Sequence, residues 1–259
     1  MLEDPIPAFY AFTGSTEIGS HLHRTVGIRK TQLELGSLSS TIICNDGDLA
    51  RAAELCVNAS FRKAGQVCTS IQRLYVQSGV QDDFLGLVTA LLKEKKVGDP
   101  NLDDSFVGPL ITQKETDRVE SWVNEALTQG AQLAFGGKRE GTLLGPTVLT
   151  NVENNMTVMQ KEIFGPVVMV RPFMNLDDAI NEANLTQFGL AAGIFTASIE
   201  NGLRAAEKLR FGSIHINETS SSRLDLYPYG GVKMSGHGKE GPKYAIIEMT
   251  EERLVTIAP

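Results

Sequence analysis

The sequence predicts an α/β fold, with a mostly parallel, twisted sheet and flanking helices. Apolar residues switch repeatedly between a spacing of two and a spacing near 3.6 along the chain, which indicates strands that alternate with helices. Such alternation is typical of βαβ units. The 259 residues, 42% of them hydrophobic, are enough to bury a substantial core in one large domain or two smaller ones.

The predicted strands are short apolar runs, and in chain order they cover residues 8–12, 40–44, 73–76, 132–135, 147–149, 167–172, 190–196, 213–217 and 252–257. The predicted helices cover a segment that begins near Ser15 or Thr16, then residues 49–61, 80–95, 113–129, 177–184 and 199–209, and a stretch near Lys243. Their ends carry favourable residues: Glu17 in a first turn, Asp46 or Asp48 as a cap, and Gly130 after a last turn.

The clearest helix, over 80–95, has one apolar stripe, made by Val80, Phe84, Leu87, Val88, Leu91 and Leu92. The helix over 113–129 has a second stripe, made by Val119, Trp122, Val123, Ala126 and Leu127. The glycine-rich segment over 230–241 is predicted to be a loop rather than a linker between domains.

The charge and the cysteines exclude several classes of protein. A net charge of -7 and a pI near 5.2 argue against nucleic-acid binding and against anionic membranes. No apolar run is long enough to cross a bilayer, and the N-terminus lacks the pattern of a signal peptide, so we expect a cytoplasmic protein. Three cysteines without a CxxC pair predict neither a disulfide framework nor a zinc site, and we expect no metal.

Three local features contain candidate catalytic or binding residues. A strand, a glycine turn and a helix follow one another over Phe12–Gly19, where free N–H groups can hold a phosphate, although most such turns bind nothing. Glu34 lies between two leucines, so it is either a partly desolvated base or a surface residue at a strand edge. Cys68 lies in a polar, glycine-opened loop, so it is either a reactive thiol or a buried loop cysteine.

The ordered combination of these segments is more specific than any one of them. In chain order the chain reads FTGSTEIG, LELGS, GQVCTS, EIFGPV and PYGGVKMSGHGKEG, with FGLAAGIFT, GSIHIN and EMTEERLVTI in the flanking sequence. This order resembles the aldehyde dehydrogenase superfamily from about Phe12 onward. The resemblance implies the catalytic-domain fold of that family, with a short remnant of its coenzyme domain and a C-terminal oligomerisation strand.

The resemblance also implies a mechanism. Cys68 would attack the aldehyde carbon to form a thiohemiacetal, and its own N–H would donate to the oxyanion. Hydride transfer to NAD or NADP would leave a thioester, and Glu34 would be the general base that activates water for its hydrolysis. Asn217 matches the asparagine near the substrate pocket, which steadies the catalytic region.

Coenzyme-binding residues follow from the same motifs. Gly14 and Ser15 would lie at the pyrophosphate and nicotinamide side, and Leu35 and Gly36 would lie beside the nicotinamide. Glu162 would hold the nicotinamide ribose, and Phe164 would pack near the nicotinamide ring. The expected partners are a small-molecule aldehyde and further copies of the chain, in a dimer or tetramer, through a strand over 253–257.

The chain departs from the family pattern before its first motif. Family members carry a long coenzyme-binding stretch there, with an asparagine of the oxyanion hole and a lysine at the adenosine ribose. We therefore expect a coenzyme-domain remnant over 1–36, a catalytic domain over 37–240, and a C-terminal segment over 241–259 that returns to the coenzyme domain and mediates oligomerisation. Weak or lost NAD(P) affinity of this chain by itself is a further expectation.

Other interpretations stay open on the sequence. Arg223, before the loop over 227–231, is either a partner for an anionic aldehyde or a solvated loop arginine, and lactaldehyde-type substrates need no anion partner. Ser37 stands where the family usually has glycine. In place of a dehydrogenase, the chain is alternatively a coenzyme-independent esterase or thioesterase that uses Cys68 and Glu34, or a non-catalytic assembly unit.

Overall fold

A computed structural model describes residues 1–259. The helices are α1 Thr16–Val26, α2 Leu49–Phe61, α3 Gln81–Lys93, α4 Gln113–Thr128, α5 Thr157–Gln160, α6 Leu176–Asn184, α7 Ile199–Lys208 and α8 Pro242–Met249. The strands are β1 Phe9–Thr13, β2 Lys30–Glu34, β3 Ser39–Ile43, β4 Ile71–Gln77, β5 Lys96–Val97, β6 Ser105–Val107, β7 Gln132–Phe135, β8 Arg139–Glu140, β9 Leu143–Leu144, β10 Thr147–Thr150, β11 Val167–Phe173, β12 Ala191–Phe195, β13 Ser213–Ile216 and β14 Gly236–His237.

A seven-stranded sheet forms the centre of the fold, in the order β13-β12-β3-β4-β11-β10-β7. Its pairs are parallel except at one edge, where β7 runs antiparallel to β10. Every residue of β3 and of β12 is buried, as expected where helices cover both faces of a parallel sheet. The predicted α/β fold with a mostly parallel sheet is therefore confirmed.

The period of two along the central strands divides the core into two layers. Ile43 of β3 packs in a large apolar cluster with residues of α2 and α3, whereas its neighbour Ile42 packs in a smaller cluster with residues of α6 and α7. Leu74 and Tyr75 of β4 divide in the same way. Alternate side chains thus anchor helices on opposite faces, which holds the ends of β3 and β4 in place.

A second, three-stranded sheet has the order β1-β2-β14, with β1 parallel and β14 antiparallel to β2. Helix α1 covers it through a small apolar cluster that includes Tyr10, Leu22 and Leu33. Two further pairs, β5 with β6 and β8 with β9, are isolated from both sheets. None of the eight helices is long and apolar enough to cross a membrane.

Most predicted elements form within one or two residues of their predicted ends, and Asp48 rather than Asp46 caps α2. The sequence did not predict β2, β14 or the two isolated pairs. The segment 252–257, predicted to be a strand, forms no strand within the single chain. Its apolar side chains Leu254, Val255 and Ile257 are exposed instead.

Candidate active site

The two sheets meet at a cavity of about 590 Å³. Eight of the predicted site residues line it: Gly14, Ser15, Glu34, Leu35, Gly36, Cys68, Glu162 and Phe164. They come from the start of α1, the end of β2, the loop before β4 and the segment before β11. Folding therefore brings together residues that are more than a hundred positions apart in sequence.

The loop that carries Cys68 follows a tight left-handed turn. Lys63, Ala64 and Gly65 all have positive φ, at 52°, 55° and 69°. Gly65 passes so close to the neighbouring segment that a Cβ there would lie 2.1 Å from the carbonyl oxygen of Gly165. Such strained backbone persists only where surrounding structure enforces it, and it often marks a functional site.

Side-chain hydrogen bonds of Gln66 hold this loop against the chain before α4. Its amide donates to the carbonyls of Lys63 and Pro109, at 3.2 and 3.3 Å. Its Oε1 accepts from the N–H of Ile111 at 2.9 Å. Cys68 follows two residues later and is partly exposed, whereas Cys44 and Cys56 are buried.

Burial raises the pKa of the Cys68 thiol, and the nearby carboxylates Glu162 and Glu34 add to that rise. The groups that oppose it are the hydroxyl of Tyr229 and the backbone N–H of Cys68 itself. The Tyr229 hydroxyl oxygen lies 3.5 Å from the Cys68 sulfur. The groups that favour the thiolate are therefore neutral rather than positively charged.

Glu34 is a buried carboxyl at the end of β2, with 5% of its surface exposed. Neither of its oxygens has a hydrogen-bond partner. Burial, with a smaller contribution from Glu240, raises its pKa to about 8, against the lowering effect of Lys239 and Arg223. An unpaired buried carboxyl with a raised pKa is costly to the fold, which is typical of a general acid or base.

Only one of the two carboxylate oxygens of Glu162 accepts a hydrogen bond within the chain. Its Oε1 accepts a hydrogen bond from the N–H of Ser37 at 2.8 Å. Burial raises its pKa to about 6, while the Ser37 N–H and Arg118 lower it. A Cβ at Gly36 would lie 2.8 Å from Oε2, so glycine at this position keeps the approach to that oxygen open.

Gln72 positions the segment around Glu162, and no pattern in the sequence singles it out. Its buried amide donates to the carbonyls of Val158 and Lys161, at 2.8 and 2.7 Å. Its Oε1 accepts from the N–H of Ile163 at 2.9 Å. Gln72 thus holds the backbone on both sides of Glu162, a role visible only once distant segments are in contact.

Gly14 and Ser15 lie where the sequence places them, at the start of α1. The N–H of Gly14 donates to the carbonyl of Glu34 at 3.0 Å, which joins this turn to the end of β2. The Ser15 hydroxyl caps α1 by accepting from the N–H of Ile18 at 3.3 Å. Phe164 has a positive φ of 50° and is 42% exposed at the cavity.

Asn217 and Arg223 do not line this cavity. Asn217 follows β13 in a left-handed conformation, and its Oδ1 accepts from the N–H of Thr196 at 3.0 Å. Arg223 donates to Glu240 at 2.8 Å, and its guanidinium carbon lies 4.3 Å above the ring of Tyr229. Arg223 therefore acts on the site through its charge, which lowers the pKa of Glu34, and through Tyr229, another residue that the sequence did not identify.

Comparisons with known proteins agree with this geometry. A family model described as the aldehyde dehydrogenase family matches residues 1–255. The 3-sulfolactaldehyde dehydrogenase of Priestia aryabhattai is 43% identical over 99% of this chain and 54% of that protein. The lactaldehyde dehydrogenase of Methanococcus aeolicus is 36% identical over 95% of this chain and 53% of that protein.

Solved structures are similar over nearly the whole chain. Glyceraldehyde-3-phosphate dehydrogenase GapN from Methanocaldococcus jannaschii, complexed with NADP, has a TM-score of 0.90 and 38% identity, over 93% of this chain and 52% of that one. Aldehyde dehydrogenase 21 from Physcomitrella patens, in complex with the product succinate, has a TM-score of 0.93 and 35% identity, over 96% and 52%. The chain spans about half the length of the curated relatives it matches.

Proposed function

Because this chain belongs to the aldehyde dehydrogenase family, we propose that it forms the catalytic half of an NAD(P)-dependent enzyme that oxidises an aldehyde to a carboxylic acid. One observation carries this proposal: Cys68 and the unpaired carboxyl of Glu34 line the same cavity. A nucleophile and a base with these properties are what thioester formation and hydrolysis require.

The cavity fits the nicotinamide half of a coenzyme. Gly36 keeps Glu162 Oε2 approachable, and that carboxylate would hold the hydroxyls of the nicotinamide ribose. Phe164 and Leu35 would pack against the ring, with Gly14 and Ser15 at the pyrophosphate side. A bound NAD or NADP would supply the acceptor for the hydride.

Cys68 carries the first half of the reaction. Its thiolate adds to the aldehyde carbon, so an S–C bond forms and the carbonyl electron pair moves to the oxygen. The N–H of Cys68 is one donor for this oxyanion. Loss of the hydride from the same carbon leaves a thioester on Cys68.

Glu34 carries the second half. As a carboxylate it takes a proton from water while the water oxygen attacks the thioester carbonyl. The C–S bond then breaks, the thiolate leaves, and the carboxylic acid is released. Since the pKa of Glu34 is about 8, its base form dominates only above that pH. We expect hydrolysis of the thioester to accelerate as the pH rises towards 8 and beyond.

The substrate is proposed to be a small polar aldehyde, in line with relatives named for 3-sulfolactaldehyde and lactaldehyde. An anionic aldehyde would have to draw Arg223 away from Glu240, whereas lactaldehyde would not. If Arg223 recognises an anion, Arg223→Gln raises KM for sulfolactaldehyde and leaves KM for lactaldehyde unchanged. Equal increases in KM for both aldehydes would exclude this role of Arg223.

The division into a coenzyme-domain remnant over 1–36, a catalytic domain over 37–240 and a C-terminal segment over 241–259 also stays a proposal. The change of sheet between β2 and β3 supports its first boundary. Strand β14, in the proposed catalytic domain, pairs with β2, in the proposed remnant, so the two parts would be in direct contact. Limited proteolysis tests the division, because cleavage inside β3 or β4 before any other site would contradict it.

Rapid mixing with aldehydes and saturating NAD or NADP tests the proposed function. At coenzyme concentrations high enough to offset the weak affinity expected of this chain by itself, wild type should form reduced coenzyme and Cys68→Ala should form none. Under the same conditions Glu34→Gln should give one burst without turnover. Ester hydrolysis that needs Cys68 while no aldehyde reduces the coenzyme would favour the esterase alternative. Coenzyme reduction that persists in Cys68→Ala would contradict the proposal outright.

A further inference from the structure

We propose that Tyr229 is a further catalytic residue, which activates Cys68 by donating a hydrogen bond from its phenol to the sulfur. The hydroxyl oxygen lies 3.5 Å from Sγ, within hydrogen-bond distance for sulfur, and it makes no other side-chain hydrogen bond. The inference rests on the proposed role of Cys68 as the nucleophile. It adds a residue to that site and names what the residue does there.

Backbone pairing fixes the position of Tyr229. Its N–H donates to the carbonyl of Glu240 at 3.3 Å, and the N–H of Glu240 donates to the carbonyl of Tyr229 at 2.7 Å. This reciprocal bridge joins the loop to the segment that follows β14. Tyr229 is 9% exposed, so its ring has little freedom to turn away from Cys68.

The guanidinium group of Arg223 stacks on the ring of Tyr229. Its guanidinium carbon lies 4.3 Å from the ring centroid, and the same group donates to Glu240 at 2.8 Å. The arginine is thus anchored to the residue whose backbone pairs with Tyr229. A cation stacked on a phenol face adds a stabilising interaction to this arrangement.

The direction of the hydrogen bond follows from the protonation of Tyr229. Burial raises the pKa of its phenol, and the negative charges of Cys68 and Glu34 raise it further. When the thiol ionises, its charge therefore keeps the proton on the phenol. A protonated hydroxyl beside a thiolate acts as donor, which stabilises the ionised sulfur.

Cys68 needs such a donor. Glu162 and Glu34 lie near it, and each disfavours the thiolate when its carboxyl is ionised. Lys63 and Arg118 line the same cavity, but neither is among the groups that lower the pKa of the thiol. Apart from the N–H of Cys68 itself, the Tyr229 hydroxyl is the group that favours ionisation.

Alkylation of Cys68 by iodoacetamide, followed from pH 6 to 10 by peptide mass spectrometry, tests the inference in the whole chain without coenzyme or aldehyde. Tyr229→Phe removes the hydroxyl and keeps the ring on which Arg223 stacks. At pH 7 its alkylation should be about threefold to tenfold slower than in wild type, the effect of one net hydrogen bond. The two rates should draw together only at pH values above the pKa of each thiol, which burial has raised.

Tyr227→Phe is the matched control, because Tyr227 lies two residues away and is 63% exposed. It should alkylate like wild type at every pH. Thermal unfolding establishes that each variant is folded. Equal alkylation rates of Tyr229→Phe and wild type at pH 7 would overturn the inference.

The test of Tyr229 and the test of the proposed function can fail independently of each other. If Tyr229→Phe leaves the titration of Cys68 unchanged while Cys68→Ala abolishes coenzyme reduction, the inference fails and the dehydrogenase proposal stands. If the titration shifts as expected but no aldehyde reduces the coenzyme, Tyr229 activates a thiol of another function.

Discussion

At the scale of single residues, the buried carboxyl of Glu34 serves the site but lowers the stability of the folded chain. Both carboxyl oxygens are buried without a hydrogen-bond partner, at the end of a strand whose last four residues are all buried. Transfer of an ionised carboxylate into such a place is strongly unfavourable. The native chain therefore keeps Glu34 protonated to a higher pH than an unfolded chain does.

Glu34→Gln should stabilise the chain at neutral and alkaline pH. The pKa of Glu34 rises from 4.5 to about 8 on folding, so between these values the unfolded chain releases a proton that the folded chain retains. The stability of wild type thus falls from pH 4.5 to about 8, and glutamine lacks this loss. The difference should reach on the order of a few kcal/mol by urea unfolding.

Glu54→Gln, at an exposed position of α2, is the control and should change little at any pH. A Glu34→Gln variant that is equally stable relative to wild type at pH 5 and pH 8 would contradict the raised pKa. The same variant is predicted to stop thioester hydrolysis, so stability and turnover should change in opposite directions. Such opposition is expected where a residue serves function at the expense of the fold.

At the scale of elements, the loop between α2 and β4 decides how Cys68 is presented. Gly65 is its critical residue, because it combines a φ of 69° with close approach to the carbonyl of Gly165. Gly65→Ala should destabilise the chain by about 2 kcal/mol or more, since left-handed strain and a backbone clash add. Urea unfolding measures the loss, and alkylation of Cys68 reports the displaced loop.

Gly79→Ala is the matched control. Gly79 has no atom within 4 Å of its Cβ position and no positive φ, so the change should stay within about 0.5 kcal/mol. If both variants were equally stable, the loop would have room that the structure does not show.

Gln72 plays the corresponding part for the segment between α5 and β11. Gln72→Met keeps the length of the side chain but leaves two carbonyls and one N–H around Glu162 unsatisfied. We expect a loss of roughly 2–4 kcal/mol in stability. The coenzyme dissociation constant, measured by fluorescence titration, should rise, because Glu162 is the residue displaced. The rate of Cys68 alkylation should change by a smaller factor.

The exposed Gln129→Met should affect neither stability nor affinity. Should Gln72→Met leave the coenzyme dissociation constant at the wild-type value, Gln72 would only be a structural residue of β4.

At the scale of the whole molecule, the C-terminal segment has the apolar surface of an interface. Ile246, Ile247 and Met249 of α8 are more than half exposed, and Leu254 and Val255 after it are 89% and 70% exposed. A segment with exposed apolar side chains and unpaired backbone groups can add as a strand to the sheet of another chain. The proposed homo-oligomer would bury this segment against a second copy.

Val255→Pro should reduce the mass of the assembly measured by light scattering, because proline removes a backbone donor that a paired strand uses. Val255→Thr keeps the N–H and a β-branched side chain, and it should assemble like wild type. A wild-type chain that is monomeric at high micromolar concentration, or a proline variant with the wild-type mass, would rule out this role for the segment.

Sequence and tertiary structure determined different parts of this protein. Helices and central strands were predictable because apolar periodicity is local, and Cys68 and Glu34 were identifiable because each stands in a short motif. The strand β2, the pairing of β14 and the unpaired C-terminal segment were not, because pairing depends on what lies beside a segment. For the same reason, the sequence could not predict that Arg223 and Asn217 lie outside the cavity that the other predicted site residues line.

The residues with the chemistry of the site could therefore be named from the sequence, since a thiol and a carboxyl are properties of the residues. How strongly these groups hold their protons, and which groups contact them, depends on the folded chain. Tyr229 reaches Cys68 across 161 positions, and Glu162 reaches Ser37 across 125. Burial and hydrogen bonding act through space, so the raised pKa of Glu34 and the donor beside Cys68 exist only in the folded chain.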